Sequence, residues 1–254
     1  MNKLLGTALV ATTLSLATHS AFAEEQVRES RAVDAKVTKI KLGGVVSLNV
    51  HQGATPSLVI SGDKSAVARV TTSQHGDTLD IDTESHTNFH WRSEKLQADL
   101  TVPNLDEFVS QGVGSSSITG FSGDKMRVSL DGAGSLTMST RYRYLDATLG
   151  GVGSFTLDNR GAERMELGMR GAGRMTVTGD VKQLYGRLSG VGSLDANNLR
   201  ADSVDLQMSG MGSATVFAKT SASMSLSGLG SATVYGNPAT RNATTSGLGK
   251  VSWK

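Results

Sequence analysis

The sequence predicts an all-β protein, a single-stranded parallel β-helix (solenoid) with coils of about 19 residues. The first observation behind this is a motif of glycine, one small or apolar residue, and a second glycine. It occurs eight times between Gly112 and Gly249, with starts 18 to 20 residues apart. So short and regular a period indicates coils stacked on one another. The motifs begin at Gly112, Gly132, Gly151, Gly171, Gly190, Gly210, Gly228 and Gly247.

The second observation is alternation around each motif. Counted from its first glycine as zero, positions −6, −4 and −2 are apolar, as in Met126, Val128 and Leu130, and positions +4 and +6 are mostly apolar, as in Phe155 and Leu157. A period of two is typical of a strand with one buried face. Position +1 is always Ala, Val, Met or Leu, so we expect it to be buried as well. The glycines should lie where the backbone turns.

The order of segments predicts one elongated domain behind an export signal. Residues 1–23 have a secretory pattern: Lys3, an apolar stretch and the cleavage site Ala21-Phe22-Ala23. We expect 24–36 to be a flexible lead and 37–254 to be the β-helix domain. Within it, 37–110 should form N-terminal coils without the glycine pair, interrupted by an excursion at 83–95, and 111–254 should form the glycine-repeat coils.

The composition excludes several classes of function. The chain has no cysteine, which rules out disulfides, thiolate metal sites and thiol catalysis. Starting from 25 Lys+Arg and 23 Asp+Glu, removal of Lys3 with the signal leaves a net charge of +1. Because the basic residues are dispersed among acids, we expect no nucleic-acid partner. No segment of the mature chain is long enough to span a membrane, so we expect a periplasmic, surface or secreted protein.

A family resemblance follows from two adjoining motifs. Leu100-Thr101-Val102-Pro103-Asn104-Leu105 leads into Gly112-Val113-Gly114-Ser115 and the repeats after it. In this the chain resembles the bacterial autotransporter-adhesin family that has a head GIN domain, from about Val33 to Trp253. The resemblance implies a β-helical domain of the cell surface or envelope. It brings no catalytic residues with it.

We predict no metal site and no cofactor. Histidines 75, 86 and 90 lie near acids at 80, 82 and 84, but in a strand such spacing spreads the side chains too far for one ion. All eight methionines after the start fall in columns expected to be buried, so we interpret them as core. They are Met126, Met138, Met165, Met169, Met175, Met208, Met211 and Met224.

Polysaccharide-cleaving β-helix enzymes need acids on adjacent coils, and the stacking predicts none. Asp131 should lie beside Gly150 and then Arg170, and Asp195 between Thr176 and Thr215. An enzyme site is then possible only in the excursion at 83–95. The first coil, with Asp106 and Ser110, and the last, with Arg241 and Thr245, carry polar residues where the others are apolar. These are the first and last glycine repeats, and the terminal repeats of a solenoid face water or a neighbour.

The candidate binding surface is an outward polar column at +5. Thr137, Thr156, Thr176, Thr215 and Thr233 form it. Phe217 and Tyr235 stand beyond it as an exposed aromatic pair. Such a ladder suits a glycan or protein ligand, although Ser and Thr are also ordinary strand-surface residues.

The leading hypothesis is therefore an exported, non-enzymatic adhesion or interaction module. The alternatives are a periplasmic structural or stress-related scaffold and, third, a polysaccharide-active enzyme. The sequence leaves the oligomeric state open.

Overall fold

The computed structural model describes residues 25–84 and 96–254. It is 75% strand and 2% helix and forms a parallel β-solenoid, which confirms the predicted fold. The elements in chain order are β1 Gln26–Arg31, β2 Lys39–Leu42, β3 Ser47–Gln52, β4 Ser57–Asp63, α1 Lys64–Ala68, β5 Val70–His75, β6 Thr78–Thr83, β7 Gln97–Val102, β8 Glu107–Ser110, β9 Val113–Leu130, β10 Ala133–Leu149, β11 Val152–Met169, β12 Ala172–Leu188, β13 Val191–Met208, β14 Met211–Leu226, β15 Ser231–Tyr235, β16 Thr240–Thr245 and β17 Lys250–Trp253.

Two sheets face each other across the core, joined in most coils at a glycine pair. Sheet A contains the residues just before the pair, and sheet B contains those just after it. Each of β9 to β14 begins in sheet B, bends, and ends in sheet A, so one such strand is nearly a full coil. Hydrogen bonds run to the equivalent residues of the next coil, so this part of the rod is parallel throughout.

The register of the repeat coils confirms the predicted stacking. Gly114 pairs with Gly134, Gly134 with Gly153, and Gly153 with Gly173. Coils that differ by one residue in length stay aligned at the glycines because the register shifts elsewhere, between Thr140 and Tyr144 in one pair of coils. That part of each coil is a third side, which returns the chain from sheet B to sheet A.

The core is made by the predicted alternation. Positions −6, −4 and −2 are buried in sheet A, as in Met165, Leu167 and Met169, and positions +4 and +6 are buried in sheet B, as in Phe155 and Leu157. Each large aliphatic side chain buried this way contributes about 1.5–3 kcal/mol. With no disulfide in the chain, this burial and the backbone ladder hold the rod together.

A buried polar network fixes the bend of the third side. The Asn159 side chain, which is fully buried, accepts hydrogen bonds from the Tyr142 backbone N–H at 2.8 Å and from the Thr140 hydroxyl at 3.1 Å, and donates to the Tyr142 carbonyl at 3.0 Å. The Tyr142 hydroxyl donates to the Leu105 carbonyl at 2.5 Å. Burial raises the pKa of Tyr142. One asparagine thus joins two coils at the point where the register of their strand pairing shifts.

The N-terminal coils are stacked out of chain order. In sheet A, β2 lies between β6 and β8, and in sheet B, β3 lies between β7 and β9. The coil formed by 39–52 is therefore inserted between the coil of 78–102 and the coil that begins at 107. Ser110, in the first glycine repeat, consequently faces a neighbouring coil and is buried against Leu42. Thr245, in the last coil, is exposed as expected.

Antiparallel strands close the N-terminal end, in contrast to the parallel coils expected there. β4 pairs with β7 and β1 pairs with β4 in sheet B, while β5 pairs with β6 in sheet A, all antiparallel. The short α1 joins the two sheets and buries Ala66 and Val67. Arg31 donates to the Val70 carbonyl at 2.6 Å. Within the predicted lead of 24–36, β1 is thus an edge strand, because its backbone completes β4.

Candidate functional site

The glycine pairs are required by close stacking at the corner between the sheets. A Cβ on Gly151 would lie 1.9 Å from the carbonyl oxygen of Gly132, and one on Gly153 would lie 1.8 Å from the carbonyl oxygen of Gly134. Gly153 also has a φ of +150°, which other residues rarely adopt. The bare Cα atoms therefore face the neighbouring coil along the rod. This agrees with the expectation that the pairs mark the turn.

The residue between the glycines points outward, and the prediction that it is buried is wrong. These side chains form one continuous line, which we call the apolar ladder. It consists of Val45, Val113, Ala133, Val152, Ala172, Val191, Met211, Leu229 and Leu248, with Val45 bridged to Val113. Its larger members are 45–85% exposed, and in the described part of the chain the ladder holds seven of the eight large exposed apolar side chains. Met211 is therefore not a core methionine.

The error has a physical cause. In a strand, successive side chains point alternately inward and outward, so counting by twos predicts the buried face. The buried positions −6, −4, −2, +4 and +6 are all even, so unbroken alternation across the glycine pair places +1 on the outward face, as the structure shows. The wrong prediction followed the apolar residue type at +1 instead of this alternation.

A shallow trough runs beside the apolar ladder. Its floor is Gly171, Gly190 and Gly210, and its volume is ≈ 560 Å³. Val191 and Met211 stand on one side, while Arg170, Ser189 and Ser209 stand on the other. The missing glycine side chains make the trough. Ladder and trough together are a corrugated edge with a repeat of about 4.8 Å.

The threonines predicted as a binding surface form one ladder on sheet B. Thr137 pairs with Thr156, and Thr156 with Thr176. Asp195 comes next, between Thr176 and Thr215 as predicted, and Thr233 follows Thr215. Thr137 and Thr156 are exposed, and Thr176, Thr215 and Thr233 are half-buried. A flat row of hydroxyls about 4.8 Å apart results, and its binding role stays a prediction.

Phe217 and Tyr235 are neighbours at the C-terminal border of sheet B. Both are half-buried rather than exposed. The Arg200 guanidinium lies 4.4 Å from the centre of the Phe217 ring, and the Lys254 ammonium lies 6.0 Å from that of Tyr235. Cation–π contacts therefore occupy part of the surface expected to be open for a ligand.

A groove on sheet A is a site that the sequence reasoning missed. It surrounds Gly168, which lacks a side chain between Thr148 and Arg187 in the neighbouring coils, and its volume is ≈ 520 Å³. The expectation that no acids stack is wrong here, because Asp146 and Glu166 are adjacent. Tyr185 is next to Glu166. These residues all occupy position −5, so aligning that position across repeats would have found them.

Burial and a like charge act together on Asp146 in the Gly168 groove. Burial raises the pKa of Asp146 first, and the carboxylate of Glu166 raises it further, against the opposing effect of Arg127 and Arg170. The Arg127 Nε lies 3.8 Å from an Asp146 oxygen. Glu166 is paired with Arg164 at 2.9 Å. Two neighbouring carboxylates in different environments can act as a proton donor and a base.

The third side carries charges that alternate from coil to coil, and we call this the charge ladder. Its members in coil order are Asp124, Arg143, Glu163, Lys182, Asp202 and Lys219. Three ion pairs join neighbouring coils, at 3.0 Å, 2.8 Å and 4.0 Å. A hydrogen bond from Lys182 lowers the pKa of Glu163, and Arg143 adds to this. Each inner member thus lies between opposite charges one coil away.

Of the three histidines considered for a metal site, only His75 lies in the part of the chain that the structure describes. In residues 25–84 and 96–254, no three carboxylates or imidazoles lie close enough to hold an ion. His86, His90 and most of the predicted excursion at 83–95 fall outside these ranges, as does the predicted signal at 1–23. The excursion separates β6 from β7, where other coils have the glycine corner.

Among the helices of the same ranges, none has the length and apolar character needed to cross a bilayer.

The profile of the family described as putative auto-transporter adhesin, head GIN domain, matches residues 36–238. Among curated proteins, none matches the chain. Several solved structures share the fold, including the following three. A putative adhesin of Parabacteroides merdae is 17% identical with a TM-score of 0.81, over 91% of this chain and 97% of its own. A putative adhesin of Bacteroides fragilis is 21% identical with a TM-score of 0.69, over 91% and 98%.

The third structure, a putative lipid binding protein of Parabacteroides distasonis, is 17% identical with a TM-score of 0.81, over 91% and 98%.

Proposed function

Because the chain belongs to the family described as putative auto-transporter adhesin, head GIN domain, we propose that it is an exported, non-enzymatic adhesion or interaction module of the bacterial envelope. The secretory pattern of residues 1–23 supports export. A rod with long, regular outer faces supports binding over an extended area, since solenoids present such surfaces.

The observation that carries the proposal is the threonine ladder of sheet B. Thr137, Thr156 and Thr176 are in register on consecutive coils, with Asp195 and then Thr215 continuing the row. Hydroxyl groups both donate and accept hydrogen bonds, and here they recur at one spacing. A glycan or an extended protein segment, each with regularly placed polar groups, is the ligand that such a row fits.

The binding part of the proposal is tested with the protein lacking residues 1–23 on panels of glycans and envelope or matrix proteins. Thr156→Lys should weaken binding at least tenfold, because the long cation covers the centre of the row. Thr220→Lys, an exposed threonine on the third side, is the matched control and should bind normally. If both variants bind as the wild type does, the ladder is not the binding face.

The location is tested by protease treatment of intact cells. A surface adhesin should be cleaved while a periplasmic marker survives. Protection in intact cells together with cleavage after outer-membrane permeabilisation would favour the periplasmic scaffold instead.

One observation favours a polysaccharide-active enzyme as a second candidate. In the Gly168 groove, Asp146 has a raised pKa and lies beside Glu166. Glycoside cleavage uses two carboxyl groups, of which the general acid has a raised pKa. Turnover on a polysaccharide panel, lost in Asp146→Asn and Glu166→Gln but kept in Asp131→Asn outside the groove, would establish it. Absence of turnover across the panel leaves the binding module as the function.

A further inference from the structure

The apolar ladder is the most unusual surface of the molecule. Monomeric proteins rarely expose apolar side chains in one continuous patch, yet here one apolar residue per coil stands outside from Val45 to Leu248. Neither sheet packs on it, and the proposed binding face on sheet B does not include it. The flanking glycines keep every other side chain back from this corner, so an approaching surface meets the ladder first.

The sizes of the ladder residues alternate. Val113, Ala133, Val152, Ala172 and Val191 follow one another at single-coil spacing. Each alanine leaves a gap between two valine knobs. A surface that fits this pattern must have protruding side chains spaced two coils apart, so that each one fills the space beside an alanine.

We propose that the occupant of the apolar ladder is a second copy of this chain, running antiparallel, with the two ladders in contact. A second copy has the same coil spacing, so its knobs stay in step along the whole rod. When the two-fold axis lies between Val152 and Ala172, each alanine faces a valine of the second copy. Ala133 then faces Val191, and Val113 faces Met211.

The area agrees with an interface between two copies. The ladder from Val45 to Leu229 exposes on the order of 600 Å², against about 800 Å² per partner in a standard interface, and the bordering serines add to it. The contact is isologous, meaning that each copy uses the same patch, which is the commonest symmetry of soluble oligomers.

The charges beside the ladder favour this arrangement on one border and oppose it on the other. With this axis, each position of the repeat in one copy faces the same position of the repeat in the other copy. Arg170 of the second copy therefore lies opposite Gly150 of the first, which is one coil away from Asp131 of the first. Two symmetric Asp131–Arg170 ion pairs can form. On the other border, the two Arg174 side chains approach each other. Six other glycine-repeat coils have serine at this position, so Arg174→Ser should strengthen association by removing the repulsion.

The first test is sedimentation of the chain lacking residues 1–23. The wild type should sediment as a dimer, and Val152→Asp and Val191→Asp should each raise the dissociation constant at least a hundredfold. Thr156→Asp, exposed on sheet B of the same coil as Val152, is the matched control and should stay dimeric. Unchanged circular dichroism excludes misfolding, because the replaced side chains lie outside the core. A wild type that stays monomeric up to its solubility limit overturns the proposal.

The second test determines the orientation and exploits the absence of cysteine. Val113→Cys and Met211→Cys proteins are oxidised separately and as a mixture. The antiparallel dimer should cross-link strongly only in the mixture. Efficient cross-linking of Val113→Cys with itself would mean parallel rods and overturn the proposed arrangement. Binding of a monomeric wild type to phospholipid vesicles, lost in Val152→Asp, would assign the ladder to a lipid surface and overturn the dimer.

Discussion

Residues 25–110 and the glycine-repeat coils after them extend the same two sheets with different connectivity. From β10 to β14, each strand pairs with the coil just before it and the coil just after it in sequence. In the N-terminal part, β2 pairs with strands that begin 39 and 68 residues later, and the last strands are antiparallel. The repeats show what periodic sequence can specify, and the N-terminal part shows how a rod end is closed.

The difference matters for stability. An array of nearest-neighbour contacts can lose one coil with limited effect on distant coils. An interleaved end cannot lose β2 without also separating β6 from β8. Four paired substitutions, one of each pair in each region, measure this contrast.

The largest effect is expected for Gly153→Ala. Its new Cβ would clash with the carbonyl oxygen of Gly134. The backbone there cannot move aside without breaking the hydrogen bonds between the two coils. We expect a loss of about 4 kcal/mol or more in the free energy of unfolding. Gly76→Ala, in the turn between β5 and β6, meets nothing within 4 Å and has only its φ of +62° to maintain. That change should cost about 1–2 kcal/mol. Equal losses in chemical denaturation would refute the close-stacking argument.

Removing one buried aromatic ring from each region should separate local from global effects. Phe108→Ala in β8 and Phe155→Ala in β11 should each cost about 3–5 kcal/mol, since both rings are fully buried. Hydrogen exchange should differ in extent. Phe155→Ala should reduce protection mainly in the adjoining coils, whereas Phe108→Ala should reduce it in β2, β6 and β9 together. Thr137→Ala is the surface control. If both variants lost hydrogen-exchange protection over equally many coils, the proposed difference between the two regions would be wrong.

Asparagine substitutions compare a buried amide with a half-buried one. Asn159→Leu leaves the Tyr142 backbone groups and the Thr140 hydroxyl without their partner and should cost about 2–3 kcal/mol. Asn49→Leu in β3 removes a 2.8 Å hydrogen bond to Asp99, and water can replace that partner. It should cost less than about 1 kcal/mol. Thermal melts of the two variants should therefore differ clearly, and a larger loss in Asn49→Leu would refute this ranking.

The smallest effects are expected from two carboxyl groups, with opposite signs. The raised pKa of Asp146 means that folding disfavours its charged form. The resulting loss of stability is absent at pH values below the usual Asp pKa and complete at pH values above the raised pKa. Asp146→Asn should therefore be slightly more stable than the wild type at neutral pH, and the gain should vanish in acid. The hydrogen bond from Lys39 lowers the pKa of Asp77, so its contribution is present above the usual pKa and lost as pH falls through the lowered one.

Asp77→Asn should accordingly be slightly less stable at neutral pH and equal to the wild type in acid. Stability curves against pH for both variants test the pair. Shifts of the same sign would show that the two environments do not differ as described.

The repeats were predictable because each coil repeats the same physical constraints. Alternating residues such as Met165 and Leu167 specify a buried face, and glycines at a fixed period specify close stacking. The interleaving of β2 between β6 and β8 was not predictable, because pairing between distant strands leaves no periodic mark. The same alternation places position −5 outward in every coil, so aligning −5 across the repeats would have found Asp146 beside Glu166 in the Gly168 groove. The exposure of Val152 agrees with the alternation, because +1 is out of phase with the buried even positions, but its apolar residue type indicated burial.

The charge ladder has an evolutionary consequence. Deleting one coil, for example the one carrying Glu163, would place Arg143 against Lys182, whereas deleting two coils restores opposite neighbours. The sequence has the same two-coil rhythm: coils starting Gly-Val-Gly at 112, 151 and 190 are 20 residues long, and those starting Gly-Ala-Gly at 132 and 171 are 19. The heritable module is thus a double turn of 39 residues, so relatives of different length should have gained or lost turns in twos.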